Sequence, residues 1–441
     1  MASAAFIVPE PPPPVVPLPR ILLAYHFFHP DEVVSARLFS DLAVGLVRRG
    51  WDVTALTSDR SWDVPAQRYP EHEQWRGVTI ERARRPAWDQ RRPAERLLNS
   101  AWMIGAWLAR ARRMRAFDVV IIGSDPAFAP VLFLPLRRLW SNAVLAHWCY
   151  DVYPDAVAAD GGGLLVRVLM PAARALMGAS YRCCDAVVDL GPRMRDRLSC
   201  HPTDAVRETL VPWALTAPPA APRRADASVR EGLFGDAKLA LLYSGTLGRA
   251  HDFAPLLALA RASRARYGRA VAFCFSSRGA GIDELRRCLT DADTNVRIVP
   301  FGAEDELERR LESADIHLLS LREAWSGVVV PSKFFGSLAV GRPVLYSGPS
   351  DSDIAHWIRE LDVGWAMSEL GIAATLDLLG EMALRRDKLE TAQRRARAAY
   401  DTHFGKDVVI DRWDSLLRAL VARRGGERAA DPAGGPIAEP R

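Results

Sequence analysis

Residues 21–56 read ILLAYHFFHPDEVVSARLFSDLAVGLVRRGWDVTAL, and the pattern of this stretch decides the fold class. Ile21-Leu22-Leu23-Ala24-Tyr25 is a short unbroken apolar run, as expected of a parallel strand buried on both faces, and it ends in the loop His26-Phe27-Phe28-His29-Pro30. Leu38, Leu42, Leu46 and Val47 then recur at helical spacing. Arg48-Arg49-Gly50 supplies a basic last turn and a stop, and residues 53–56 begin a second strand. Strand, loop, helix and strand in this order predict a parallel, doubly wound α/β sheet.

The unit recurs along the chain. Residues 119–122, 143–146 and 186–190 read as further strands, with helices over 97–113 and 164–178. The pattern breaks from Pro212, where prolines and alanines stand without hydrophobic period, so residues 212–230 are assigned to a linker. It restarts with a strand at 239–243, the turn Ser244-Gly245-Thr246-Leu247-Gly248 and a helix over 253–262. Strands follow at 271–275, 296–299, 316–320 and 343–346. The expected organisation is a tail (1–19), a first Rossmann-like domain (20–211), the linker (212–230), a second Rossmann-like domain (231–402), a final helix (403–424) and a second tail (425–441). Ligands of open α/β sheets bind beyond the carboxyl ends of the strands, which places the site in the cleft between the two domains.

Composition agrees. The 441 residues are 49% apolar and 25% charged, which suits two or three globular domains and excludes a mainly disordered chain. Lysine and arginine (58) exceed aspartate and glutamate (53) by only 5. The densest arginine run, over residues 82–96, is interleaved with Asp89 and Glu95, so it reads as a solvated face and nucleic acid is not an expected partner. Six cysteines, Cys149, Cys183, Cys184, Cys200, Cys274 and Cys288, lack the paired spacing of a disulfide framework or zinc site, and reduced thiols in a cytoplasmic protein are expected. Residues 1–19 have no basic stretch ahead of an apolar core, so no secretory leader is expected. No run reaches the ~18 to 20 apolar residues of a spanning helix.

The segment with most chemistry is EAWSGVVVPSKFFGSLAVGRPV, residues 323–344. It reads as a glycine-containing loop, then a helix start at Pro331-Ser332, two turns of helix and a stop at Gly341. Free amides beside Lys333 would suit a phosphate; an ordinary capped helix with a surface lysine would look the same. Gly245 and Arg249, in the turn that opens the second half, would set another cation at a strand end of the same domain, and Arg249 with Lys333 is a reasonable pair of counter-charges for a diphosphate. Asp291-Ala292-Asp293 and Asp351-Ser352-Asp353 have a D-x-D form, but neither has the setting of a metal site, and no metal is expected. Neither a G-x-S-x-G elbow nor an H-E-x-x-H helix occurs.

The order of these features resembles the family-4 glycosyltransferases of bacterial surface-polysaccharide synthesis, in the O-antigen, capsule and colanic-acid branch that includes fucosamine-type transferases. The resemblance runs over roughly residues 21–420. It is carried by AYHFFHPDEVVSARLFSDLAVGLVRRGWDVTALTS, HWCYDVYPDAVA, LGPRMRDRL, VPWAL, LLYSGTLGRAHDF and GVVVPSKFFGSLAVGRPVLYSGP. It implies a GT-B fold, two Rossmann-like domains facing a cleft, with a C-terminal helix crossing back to the first domain; residues 408–420, with Trp413 and Leu417, fit that helix. The donor would be a nucleotide-diphosphate sugar, held by Gly245, Arg249, Glu323, Ser332 and Lys333 of the second domain, and no cofactor is implied. Gly336 stands where many relatives carry a glutamate used on the donor ribose.

On the acceptor side the resemblance assigns Asp151, in CYDVYPD, to the catalytic cleft together with His147, and the loop residues His26, Ser35 and Arg37 to the acceptor side. Residues 33–36 occupy the place of the family's glycine-rich loop and contain no glycine. A histidine ending a strand is also, and more often, a core residue. Relatives of this type usually retain anomeric configuration without a protein nucleophile, the leaving phosphate taking the acceptor proton. The acceptor would be a glycan or a polyprenyl-diphosphate-linked sugar at the cytoplasmic membrane face. The helix around Leu98, Trp102, Ile104 and Trp107, followed by Arg110, Arg112, Arg113 and Arg115, is consistent with peripheral attachment, although such stripes are more often packed on a core. A nucleotide-sugar epimerase or hydrolase of the same fold, or a catalytically silent binding subunit, are the other readings of the same residues.

Overall fold

The computed structural model describes residues 18–90, 92–161, 163–215, 218–219, 225–302 and 306–430. In the first half β1 (Arg20–Ala24), β2 (Asp52–Ser58), β3 (His72–Trp75), β4 (Val78–Ala83), β5 (Val119–Gly123), β6 (Val144–Trp148), β7 (Ala186–Asp189) and β8 (Val206–Thr209) form one sheet in the order β3-β4-β2-β1-β5-β6-β7-β8. All its pairings are parallel except β3 with β4. The second half builds a parallel sheet from β9 (Leu239–Thr246), β10 (Val271–Arg278), β11 (Val296–Val299), β12 (Ile316–Ser320), β13 (Val344–Ser347) and β14 (Gly364–Ala366), in the order β11-β10-β9-β12-β13-β14. In each sheet the first strand lies inside and the order reverses beside it, which opens a crevice at the strand ends.

The apolar runs became the inner strands for the expected reason: Ile21, Leu23, Val119, Ile121, Leu239 and Leu241 are wholly buried. The strands absent from the sequence reading, β3, β4, β8 and β14, are at or near the sheet edges, where polar residues such as Glu73, Gln74 and Arg207 break the apolar signal.

The final helix, Lys406–Ala430, does cross back to the first domain. Ile410 packs so closely on Gly45 of helix Val34–Arg48 that a Cβ there would fall 2.7 Å from its Cδ1. Trp413 and Leu417 are wholly buried, Asp411 pairs with Arg49 at 2.6 Å, and Asp414 accepts from the Trp51 indole at 2.6 Å. This helix continues through Gly425 and Gly426, so residues 425–430 are helical and not the tail expected from Gly425.

The linker is also shorter than expected. Trp213 is wholly buried and donates its indole N–H to Asp41 at 3.1 Å, while the Trp213 carbonyl accepts from Tyr400 at 2.8 Å. Asp226 caps helix Ala227–Phe234, whose Arg230 pairs with Asp315 at 2.7 Å, so that helix belongs to the second domain. Residues 216–217 and 220–224 of the expected linker, and 1–17 and 431–441 of the expected tails, lie outside the described residues.

Candidate functional site

Two cavities flank the turn that follows β9. The first, of about 300 Å³, is walled by Ser244, Gly245, Lys333 and Gly336 of the second domain, with Val33, Val34 and Arg37 entering from the first. Its apolar floor is Phe301, Leu307 and Leu311, and the Arg278 guanidinium lies 5.0 Å from the centre of the Phe301 ring. The second, of about 470 Å³, lies on the other side of the turn between Asp160, Arg249, His251 and Trp325.

Lys333 stands at the junction. It opens the seven-residue helix Lys333–Ala339, preceded by Ser332, which lines the first cavity but makes no side-chain cap. The lysine amino group donates to the Thr246 carbonyl at 2.9 Å and lies 3.0 Å from His251 Nε2 and 5.1 Å from the Tyr243 ring centre. Among the described residues it has no carboxylate partner. Burial lowers its pKa to about 7. Gly245 makes this position available: its φ is +125°, and a Cβ would fall 2.7 Å from Lys333 Cε. A cation with neutral partners and partial loss of water is electrostatically incomplete, and an anion entering either cavity would complete it.

The structure separates the expected cationic pair. Arg249 turns away from Lys333 and across the cleft, where it pairs with Asp160 of the first domain at 2.6 Å. It lines the second cavity and not the first. Glu323 sits in the exposed short turn Glu323–Trp325 and lines neither cavity. Gly336 lines the first cavity, and a Cβ there would fit without a clash, in ordinary contact with Ala214 at 3.8 Å and Leu311 at 4.0 Å.

On the first-domain side the expected loop at residues 33–36 is a helix start: Val33 stands at the N-cap position of helix Val34–Arg48, with no side-chain cap. The apolar Ala36, Leu38 and Phe39, buried on the sheet, draw these residues into the first turn. Arg37 reaches the first cavity, while Ser35 does not line it. His26 is buried at the end of β1 with Nδ1 3.4 Å from Asp125 Oδ1 and Nε2 without a partner.

Asp151 lies on the cleft wall, where its backbone bridges to Val329 of the second domain and its amide donates to Ser124 at 3.2 Å. Burial, and then the nearby Asp125, raise its carboxyl to about 6, with Arg96 acting against them. His147, expected in the same cleft, is a core residue instead. It is 1% exposed, bonded through Nδ1 to the Ile122 carbonyl at 2.9 Å, and its pKa falls to about 4 because its charged form would be desolvated. Its position in the fully buried β6 decides this, because the strand still has Trp148 to run before it reaches the cleft.

The sequence reading overlooked Asp125, His251, Arg278 and Phe301. Asp125 had a usable signal, since it follows β5 in IIGSDP at a strand end facing the cleft. Among the described residues no three His, Cys, Asp or Glu side chains gather as a metal site. Asp293 and Asp353 of the D-x-D tripeptides are engaged, the first with Arg261 at 2.8 Å and the second with the Arg193 amide at 2.8 Å.

Residues 35–214 match the family model of the glycosyl transferase 4-like domain. The probable glycosyltransferase WbjE of Pseudomonas aeruginosa is 25% identical over 316 residues, which span 70% of this chain and 76% of that protein. Among solved structures, sucrose-phosphate synthase from Thermosynechococcus elongatus superposes with a TM-score of 0.69 at 13% identity, over 92% of this chain and 100% of the other. HepE of Anabaena in complex with UDP superposes with a TM-score of 0.61 at 9% identity, over 91% and 100%. The two sheets and the returning helix are thus the GT-B architecture.

Proposed function

We propose that this chain, whose fold is GT-B and whose residues 35–214 match a glycosyl transferase 4-like domain, is a glycosyltransferase that moves a sugar from a nucleotide-diphosphate donor to a glycan acceptor, lipid-linked, in bacterial surface-polysaccharide synthesis, with retention of configuration. The observation that carries this reading is Lys333, a cation without a carboxylate partner beside a cavity whose floor is apolar. A nucleoside fits against Phe301 and Leu311, and its diphosphate then reaches Lys333 at the junction. UDP bound to HepE is a precedent for this class of ligand in this fold.

Catalysis in this reading rests on placing the two substrates together and stabilising the departing diphosphate with Lys333. Asp151 and Asp125 contact the acceptor from the first-domain wall. No helix among the described residues is long and apolar enough to cross a membrane. Helix Leu164–Tyr181, however, exposes Leu164 (79%) and Val168 (66%), and helix Pro93–Ala111 exposes Leu98 (54%) and Trp102 (51%). Both helices pack on the turn Ala129–Leu132, and their charges are mainly arginines. That face suits an anionic lipid surface carrying the acceptor. The test is transfer from a panel of nucleotide-sugars to a polyprenyl-diphosphate-linked sugar, with product anomers read by NMR. Transfer of a sugar with its configuration kept supports the proposal, and release of free sugar or its epimer with no transfer rejects it.

A further inference from the structure

His251 stands between the two cavities and plays no part in the reading above. It lines the second cavity, while Lys333, 3.0 Å from its Nε2, lines the first. The Ser320 carbonyl, 2.6 Å from Nδ1, can only accept, so the imidazole carries its proton on Nδ1 and leaves a lone pair on Nε2. The Lys333 amino group donates to that lone pair and to the Thr246 carbonyl, and its stem lies against Gly245. The imidazole is itself held edge-on to Tyr243, ring centres 6.1 Å apart, and Arg322 donates to the His251 carbonyl at 2.9 Å. Two of the three lysine N–H groups are thereby spent on neutral acceptors whose positions β9, β12 and the intervening turn fix.

We propose that His251 is a positioning residue of the donor site: through the Ser320 carbonyl it fixes the Lys333 amino group at the junction of the cavities, leaving the remaining N–H for the donor's diphosphate. This rests on the donor reading above. The pairing needs a neutral imidazole, because a protonated one would present a second cation to Lys333. Burial, and next the Lys333 charge, keep the His251 pKa down at about 3, so the ring stays an acceptor at any physiological pH. The other charged groups around the junction are Arg322, Arg249, Asp160 and Glu284 on the second cavity, and Glu32, Arg37 and Arg278 on the first. None of the three carboxylates is within ion-pair distance of Lys333.

The chain has lysines only at 238, 333, 388 and 406, so [13Cε]-lysine NMR follows each amino group separately, with Lys333→Ala assigning its signal. In the wild type Lys333 should titrate well below the other three, and UDP or inorganic pyrophosphate should move its midpoint upward. His251→Leu should shift that midpoint and weaken UDP binding by about tenfold, the size expected for a lost hydrogen bond to a charged group. His251→Gln, whose amide oxygen can accept from the ammonium, should restore most of both, an outcome that misfolding would not give. An unchanged Lys333 titration in His251→Leu overturns the proposal even if UDP binds. A shifted titration in a protein that binds neither UDP, GDP nor pyrophosphate overturns the donor reading and, with it, the positioning role.

Discussion

Asp353 of the second domain accepts a hydrogen bond from the backbone amide of Arg193 in the first, at 2.8 Å. The same oxygen lies 3.4 Å from the Met194 amide, so one carboxylate caps the first-domain helix Pro192–Leu198 from across the cleft. Gly191 packs directly on this carboxylate and leaves no room for a Cβ. Arg193 also pairs with Asp351 at 2.7 Å, and the Val152 amide donates to the Val328 carbonyl at 3.0 Å. These contacts join the two domains across the cleft.

Asp353→Ala should therefore loosen the domains. The lost cap costs about 1 to 2 kcal/mol, and small-angle scattering should report a larger radius of gyration without nucleotide. Asp353→Asn, which keeps an acceptor oxygen, should behave nearly as the wild type. Gly191→Ala should mimic the alanine variant by pushing the carboxylate away. Identical scattering from all four proteins would show that the contact does not govern closure.

Nucleotide affinity should depend on pH through Lys333. Its pKa, lowered from the ordinary lysine value to about 7, means the ammonium is present below that pH and lost above it. Binding a diphosphate favours the charged form, so the pKa rises in the complex. The dissociation constant for UDP or GDP should thus climb by up to about tenfold per pH unit above 7, until the pKa of the complex is reached. Lys333→Ala should bind weakly with little dependence on pH. Arg249→Ala should lose less, since Arg249 faces Asp160. Isothermal titration at pH 6.5, 7.5 and 8.5 measures all three, and a flat wild-type profile would count against Lys333 as the phosphate contact.

The inner strands and the returning helix were legible because burial on both faces leaves continuous apolar runs, and Trp413 and Leu417 recur at helical spacing. Lys333 and the turn containing Gly245 were legible as parts of one donor site because each was read at a strand end of the same domain, but the counter-charge expected beside Lys333 was Arg249. Side-chain direction was not legible. Arg249 is four residues past Gly245, yet the turn carries it to the opposite side of the junction. Nor does sequence tell a histidine one residue short of a strand's end, as His147 is, from one that reaches the cleft, since either would close an apolar run. His251 was invisible because its partners, Ser320 and Lys333, are 69 and 82 residues away.

Transfer is expected to proceed without a divalent metal, since Lys333 supplies the charge for the leaving diphosphate. Rates in excess EDTA should match those in magnesium or manganese. Complete loss in EDTA, restored by either ion, would contradict this.

The exposed apolar face should bind anionic vesicles. The wild type should co-sediment with phosphatidylglycerol vesicles and less with phosphatidylcholine, and less again as salt rises. Leu164→Ser with Val168→Ser should weaken sedimentation while changing melting temperature little, because both side chains already face solvent. Equal sedimentation of the double variant would remove helix Leu164–Tyr181 from the contact.

Asp151 offers the sharpest separation of chemistry from scaffolding. Its folded pKa of about 6 lies above that of an unfolded aspartate, so the folded state holds the extra proton, and stability falls as pH rises from ~4 to ~6. Above pH 6 the buried charge is a cost, which Asp151→Asn removes. The variant should therefore melt no lower than the wild type at pH 7, and by roughly 1 kcal/mol it should be the more stable of the two. Donor affinity should be nearly unchanged, because Asp151 lines neither the first cavity nor the Lys333 junction. Transfer, by contrast, should drop sharply, since a carboxylate that serves only the scaffold has no reason to be kept at such a cost on the cleft wall. Melting temperature, UDP affinity and transfer belong on the same preparation: a stable variant that binds UDP and transfers at the wild-type rate would take Asp151 out of the acceptor site.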